Sequence, residues 1–143
     1  MTNMQAAVGV AQLTKINQFI EKKIQIADWY KERLKDLANH GVVTLRPLSW
    51  AKCMHWTYSI LIDKLEITKD ELIRLLEKKG IETKPFFYPM HILSPYRVYD
   101  NTLNLAESIS SKGLNLPSSP IPRKNEIEYI VETCIKIMDG VNK

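Results

Sequence analysis

Residues 1–38, MTNMQAAVGVAQLTKINQFIEKKIQIADWYKERLKDLA, carry helix signals from end to end. Thr2 followed by Gln5 has the form of a capping box, in which a hydroxyl takes an orphan N–H and an amide reaches back. Apolar residues recur at Val10, Leu13, Ile16, Ile20, Ile24, Ala27, Tyr30, Leu34 and Leu37, the three-and-four spacing of one helix face. No proline interrupts the run and Gly41 offers a stop, so the spacing predicts one uninterrupted amphipathic helix. At about 1.5 Å per residue it would run roughly 50 Å. A compact domain of this length is only about 37 Å across. Such a helix overhangs its domain, kinks, or packs against another body. Ala6, Ala7, Gly9 and Ala11 give its start a smooth surface for close approach of a second backbone, which favours the last. A bent helix wrapping its own core is the alternative.

Downstream the elements change in kind. Val42–Leu45 is a short β-like run ending at Pro47. The stretch HWTYSILI, residues 55–62, is the strongest strand signal, with Trp56, Tyr58, Ile60 and Ile62 on one face at period two. Thr68 can cap a helix with Glu71 as box partner, and Leu72, Ile73, Leu75 and Leu76 supply its apolar contacts. Lys78, Lys79 and Gly80 end it, cations on the last carbonyls followed by a residue that can turn left-handed. Ile81–Lys84 reads as a strand, residues 102–112 as a helix from Thr102 to a stop near Gly113, and Leu114–Pro117 as a strand. From Arg123 a final helix turns Ile127, Tyr129, Ile130, Cys134, Ile137 and Met138 inward. This order is α+β: a small, mostly antiparallel sheet covered by helices on one side, with a long N-terminal helix, and a ferredoxin-like or other split-β sandwich fits the pattern equally well.

Composition narrows the class. The chain has 143 residues, 45% hydrophobic and 25% charged, enough for one domain with a real core. The net charge of +4 comes from cations scattered among acids, as in EKKIQIADWYKERLKD. That is a solvated helix face rather than a nucleic-acid stripe, and no helix-turn-helix or RNP-like pattern occurs. The pair Asp28–Glu32 is ordinary helix-surface spacing and implies no acid–base dyad. No apolar run reaches the roughly eighteen residues of a membrane span. Gln5, Gln12 and Lys15 break any signal-peptide pattern. Cys53 and Cys134 stand far apart with no second metal-type ligand at finger spacing, so neither a disulfide frame nor a metal site is expected. Together these predict a cytoplasmic protein with no nucleic-acid or membrane partner.

The departure from pattern is the loop Pro85–Tyr99. It sets Phe86, Phe87, Tyr88, Met90, His91, Ile92, Leu93, Tyr96 and Tyr99 among three prolines, where a surface loop should be polar. Aromatics on a stiffened loop form a plug over the core or the wall of a pocket or interface. His40 and His55 read as surface or strand-edge histidines, and Trp56 and Tyr58 as core.

Four segments in register, MTNMQAAVGVAQLTKINQFIEKK, HWTYSILI, GIETKPFFYPMH and LNLPSSP, resemble the C-terminal part of DegT-type nucleotide-sugar aminotransferases. These are pyridoxal-phosphate enzymes of the aspartate-aminotransferase fold (fold type I). The resemblance covers essentially the whole chain. It implies that residues 1–38 are a long interdomain helix opened by Met1, Gln5, Ala6 and Ala7, and that residues 39–143 are the small C-terminal α+β domain. It also implies that an upstream cofactor-binding domain is absent from this chain. That domain would carry the Schiff-base lysine, the acidic partner of the pyridine nitrogen and most phosphate contacts. Accordingly no catalytic and no cofactor-binding residue is expected here, and pyridoxal phosphate is expected in the complete enzyme but not on this chain. Lys84 corresponds to a basic strand residue rather than to the Schiff-base lysine.

The same resemblance brings the FFYPMH loop near the active-site mouth, where the hexose sits. Phe87, Tyr88 and His91 are therefore the candidate substrate-binding residues: aromatic faces suit a deoxysugar's C–H surface, and the Tyr88 hydroxyl and His91 imidazole suit its hydroxyls. The plain alternative for His91 is a loop histidine bonded to a nearby backbone carbonyl. HWTYSILI with KPFFYPMH is most similar to perosamine-synthase-like members. These use glutamate to aminate a keto-deoxysugar nucleotide such as GDP-4-keto-6-deoxymannose, in deoxysugar or surface-polysaccharide biosynthesis, and the family's dimers imply a homodimer. A stand-alone binding or regulatory module, or a docking partner derived from the small domain, is the alternative without catalysis.

Overall fold

The computed structural model describes residues 1–35, 37–38, 41–44, 47–63, 67–97 and 103–141. Five helices and four strands are described: α1 (Asn3–Leu13), α2 (Ile16–Arg33), β1 (Val42–Thr44), β2 (Tyr58–Ile62), α3 (Lys69–Glu77), β3 (Lys84–Pro85), α4 (Asn104–Lys112), β4 (Gly113–Leu116) and α5 (Lys124–Val141). The sheet runs β1-β2-β4-β3 with every neighbour antiparallel. The expected α+β class is what forms. His40, Leu45, Tyr99 and Thr102 lie outside the described residues.

The first helix is two helices, and this corrects the uninterrupted reading. The Thr2–Gln5 capping box is present in both directions. Twelve residues after Thr2 the Thr14 hydroxyl donates to the Ala11 carbonyl at 2.8 Å. That carbonyl would otherwise take the Lys15 N–H, which instead bonds Gln12 at 3.0 Å. A threonine back-bond of this kind competes with the helix ladder and bends it. No residue of α1 is buried, and Val8, Val10 and Leu13 are exposed. The second helix ends at Arg33, short of the expected limit, with Leu37 still buried beyond it.

The core lies between one face of the sheet and α2, α3 and α5. It joins Ile26, Tyr30, Leu34 and Leu37 to Ile60, Ile62 and Leu114 of the sheet, to Leu72 and Leu76 of α3, and to Ile127, Cys134 and Met138 of α5. Burying each such side chain contributes about 1.5–3 kcal/mol. On α2 the inward stripe is rotated from the expected one: Ile26 is fully buried while Ile24 is only partly so. Tyr129 of α5 is exposed rather than inward, its hydroxyl donating to the Lys79 carbonyl at 3.0 Å.

Local chemistry ends α3 as expected. Thr68 accepts the Glu71 N–H at 3.2 Å. At the other end Gly80, at φ +75°, lets its own N–H reach Glu77 and the Ile81 N–H reach Leu76, a left-handed cap that saturates the last carbonyls. The strand expected at Ile81–Lys84 is shifted to Lys84–Pro85. The β2 strand begins at Tyr58, because His55 at φ +46° resets the alternation before Trp56. Trp56 is therefore off the core face. Finally, α4 packs on the opposite side of the sheet from the main core, with Ile109 beside Leu61 and Val43.

Candidate functional site

An open cleft of about 1080 Å³ lies along the β3 edge of the sheet, between the aromatic loop and the segment that follows β4. From α2, Lys23 reaches its lining. The Lys23 ammonium donates to the Trp56 carbonyl at 2.7 Å and to the Ser118 carbonyl. About two turns further along the same helix, Tyr30 donates its hydroxyl to the Pro117 carbonyl at 2.7 Å. The Tyr58 N–H in turn donates to Ser118 Oγ at 3.2 Å. Two separate chain segments, 56–58 and 117–118, are thus drawn together over one helix.

These clamps sit in a dry setting. Tyr30 and Tyr58 stack with centroids 4.7 Å apart. Burial pushes the Tyr30 phenol well above its ordinary range, with the Cys134 thiol and Tyr58 adding to it. Burial, then the charge of Asp28, pushes Tyr58 up to about 12. Both remain neutral donors at physiological pH. Partial desolvation lowers the Lys23 pKa, while its two carbonyl partners accept the hydrogen bonds that its ammonium donates.

The outer wall is aromatic. Trp56 and Phe87 face one another with ring planes 11° from parallel and centroids 6.3 Å apart. Both are open to solvent, at 73% and 77%, and Tyr88 beside them at 72%. Asn115 and Lys84 also line the cleft, from neighbouring strands, and Asn115 Oδ1 accepts from Ser59 Oγ at 2.7 Å. An apolar flat wall facing a few hydroxyl, amide and ammonium groups is the composition of a pocket for a small polar molecule with a hydrophobic face.

The structure brings Phe87 and Tyr88 into this cleft and leaves His91 outside its lining. The imidazole is only 11% exposed, and its Nε2 lies 2.8 Å from Glu107 Oε1 on α4. Its partner is thus a carboxylate rather than the backbone carbonyl of the plain reading. Sequence reasoning missed Trp56, assigned to the core, and Lys23, assigned to a solvated face. The signal for Lys23 was there: Ile16, Ile20, Lys23, Ala27, Tyr30 and Leu34 follow strict three-and-four spacing, so the lysine occupies an inward slot. Among the described residues no cluster of three metal-type ligands occurs, and no helix is long and apolar enough to cross a membrane.

Comparison with known proteins agrees with this layout. Residues 1–135 match the DegT/DnrJ/EryC1/StrS aminotransferase family. A GDP-perosamine synthase of Caulobacter vibrioides is 31% identical over 140 residues, spanning 96% of this chain and 38% of that protein. A GDP-perosamine synthase of Escherichia coli O157:H7 is 36% identical over 133 residues, 93% of this chain and 35% of its own length. Among solved structures, a DegT DnrJ EryC1 StrS aminotransferase from Brucella abortus superposes with TM-score 0.80 at 25% identity, covering 94% of this chain and 35% of that one. The chain spans a little over a third of the length of the curated relatives it matches. On the match over residues 1–135, this chain belongs to the DegT/DnrJ/EryC1/StrS aminotransferase family.

Proposed function

We propose that this chain forms the C-terminal small domain of a sugar aminotransferase that moves an amino group from glutamate to a keto-deoxysugar nucleotide, and that its cleft holds the sugar end of that substrate. The GDP-perosamine synthases among its relatives support a GDP-linked 4-keto-6-deoxyhexose as acceptor. The observation that carries the reading is the exposed Trp56–Phe87 wall with Tyr88 at its edge. Aromatic faces take the C–H surface of a deoxyhexose, and the Tyr88 hydroxyl, Asn115 amide and Lys84 ammonium offer hydrogen bonds to its hydroxyls and charge to a diphosphate. A role for His91 in sugar recognition runs through the loop it anchors, since its Nε2 is engaged by Glu107.

The family's cofactor, pyridoxal phosphate, supplies the electron sink and the carrier for the amino group when bound. The described residues of this chain do not fit that group by themselves. Lys23 is engaged by two carbonyls, and Lys84 stands on an open edge strand, 76% exposed beside Glu82. A Schiff-base lysine needs a dry pocket or a cationic neighbour to lower its pKa. The cofactor's anchors are assigned to another part of the family protein, and α1, with no buried residue, is the element proposed to dock on it. A homodimer in the cytoplasm, acting in deoxysugar or surface-polysaccharide biosynthesis, completes the reading.

Nuclear magnetic resonance mapping tests it. Titrating the chain with a GDP-hexose should shift the Trp56, Phe87 and Tyr88 side-chain signals together with the Asn115 amide. Shifts confined to other surfaces, or none at millimolar ligand, would reject the cleft as the sugar site. In a parallel experiment, pyridoxal phosphate and borohydride should label no single lysine stoichiometrically.

A further inference from the structure

Among its described residues, the segment bearing Phe87 and Tyr88 has two 3-10 turns, Met90–Ile92 and Ser94–Tyr96, as its regular structure. The Phe87 and Tyr88 rings are mostly exposed, so burial does not fix where they stand. Past the Phe86 N–H, which bonds the Gly113 carbonyl at 3.0 Å, polar ties to α4 hold the segment. Ser110 Oγ donates to the Phe87 carbonyl at 3.0 Å, and Glu107 Oε1 accepts from His91 Nε2 at 2.8 Å. Glu107 and Ser110 are three residues apart and share one face of α4.

The helix is itself braced. Lys112 Nζ meets Asp63 Oδ1 at 2.6 Å, just past the end of β2. Lys69 Nζ, from the start of α3, donates to the Ser110 carbonyl at 3.2 Å, one of the final carbonyls of α4 that lack an intrahelical partner. The chain then passes from Lys112 directly into β4 at Gly113. Contacts therefore run without a gap from the sheet and α3 through α4 to the backbone of Phe87.

We propose that Glu107 and Ser110 are positioning residues of the cleft: they line no part of it and set the place of its aromatic wall through His91 and the Phe87 carbonyl. Their importance for substrate rests on the sugar-site reading above, whereas the positioning itself does not. An ionised carboxylate only accepts, so Nε2 of His91 carries the proton in this contact. A glutamine at 107 keeps an acceptor oxygen and an alanine removes it, which separates the hydrogen bond from simple packing.

The test uses the 143-residue chain and two nuclear magnetic resonance signals: ring–ring cross-peaks between Trp56 and Phe87, and the imidazole nitrogen shifts of His91. The unsubstituted chain should show the cross-peaks and a protonated Nε2. Glu107→Ala/Ser110→Ala should lose the cross-peaks and the single imidazole form while the amide signals of β2 and α5 hold their positions. Glu107→Gln should retain both. Cross-peaks that persist in the double variant overturn the proposal. If the double variant does not fold, Ser110→Ala alone decides on the same cross-peaks, weakened as expected or unchanged in refutation. Collapse of the ring contacts in a chain that binds no GDP-hexose would keep the positioning assignment and reject the sugar-site reading.

Discussion

Replacing Gly113 by alanine probes the packing beneath the aromatic loop with a single methyl group. Gly113 is buried at the junction of α4 and β4, and a Cβ added there would lie within 3.0 Å of three Phe86 ring atoms. The backbone is not the obstacle, because φ is −89° and any residue adopts it. Nor can the ring retreat easily, since the Phe86 N–H is bonded to the Gly113 carbonyl at 3.0 Å. Overpacking of this kind costs about 1–3 kcal/mol, and the lower entropy of the unfolded alanine chain returns about 0.4–1 kcal/mol. Taken at the middle of each range, the net expectation is a loss of about 1.3 kcal/mol, a fall in melting temperature of roughly 3–6 °C for a chain of this size. Urea unfolding gives the first number and near-ultraviolet circular dichroism reports the disturbed aromatic wall. The reasoning also demands a rescue: in a Phe86→Ala background, Gly113→Ala should be neutral or stabilising, because the clashing ring has gone. An alanine variant as stable as the parent, or one whose penalty survives removal of the ring, would refute it.

Lys23→Met keeps the apolar stem but frees the Trp56 and Ser118 carbonyls, so it should cost about 1 kcal/mol and broaden the Trp56 signals; unchanged stability and spectra would show that the clamp is idle. Val10→Ser/Leu13→Ser should improve solubility and move the unfolding free energy by less than about 0.5 kcal/mol, as for exposed positions, whereas a loss of several kcal/mol would place them in a core. Burial raises Cys134 from 9.0 to about 12 and Tyr58 from 10.0 to about 12. The folded chain holds these protons more tightly, so both contributions are complete below pH 9 and decline as pH rises towards 12. Urea midpoints taken from pH 7 to 10.5 should therefore be flat, then fall, and Cys134→Ala should delay the onset; a midpoint that rises above pH 9 would contradict the burial of these groups.

Much of this protein was legible without coordinates. Thr2 and Thr68 mark helix starts because a hydroxyl at that place takes the N–H three residues on whatever surrounds it, with the Gln5 amide closing a full box at the first and no side-chain return bond from Glu71 at the second. Gly80 marks a helix end for the same local reason. Alternation from Tyr58 to Ile62 defined a strand with one buried face, and the four segments in register pointed to the family before the sheet order was known.

What the sequence left undecided depended on the competition between local and distant partners. Thr14 looks like any helix residue until its hydroxyl captures the Ala11 carbonyl, and only then does the long helix break. Lys23 carries a charge that predicts solvent, yet two carbonyls from residues 56 and 118 meet it at an inward position. Trp56 has the hydrophobicity of a core residue, but the left-handed turn at His55 sends it to face Phe87. Phe87, Tyr88 and His91 stand within five residues of one loop, and their chemistry suggests one site. The tertiary structure sends two of them to the cleft and fastens the third to Glu107, sixteen residues away. Helix caps and strand faces follow from spacing along the chain, whereas a cleft forms where distant segments meet, and their meeting is fixed by hydrogen bonds no local pattern announces.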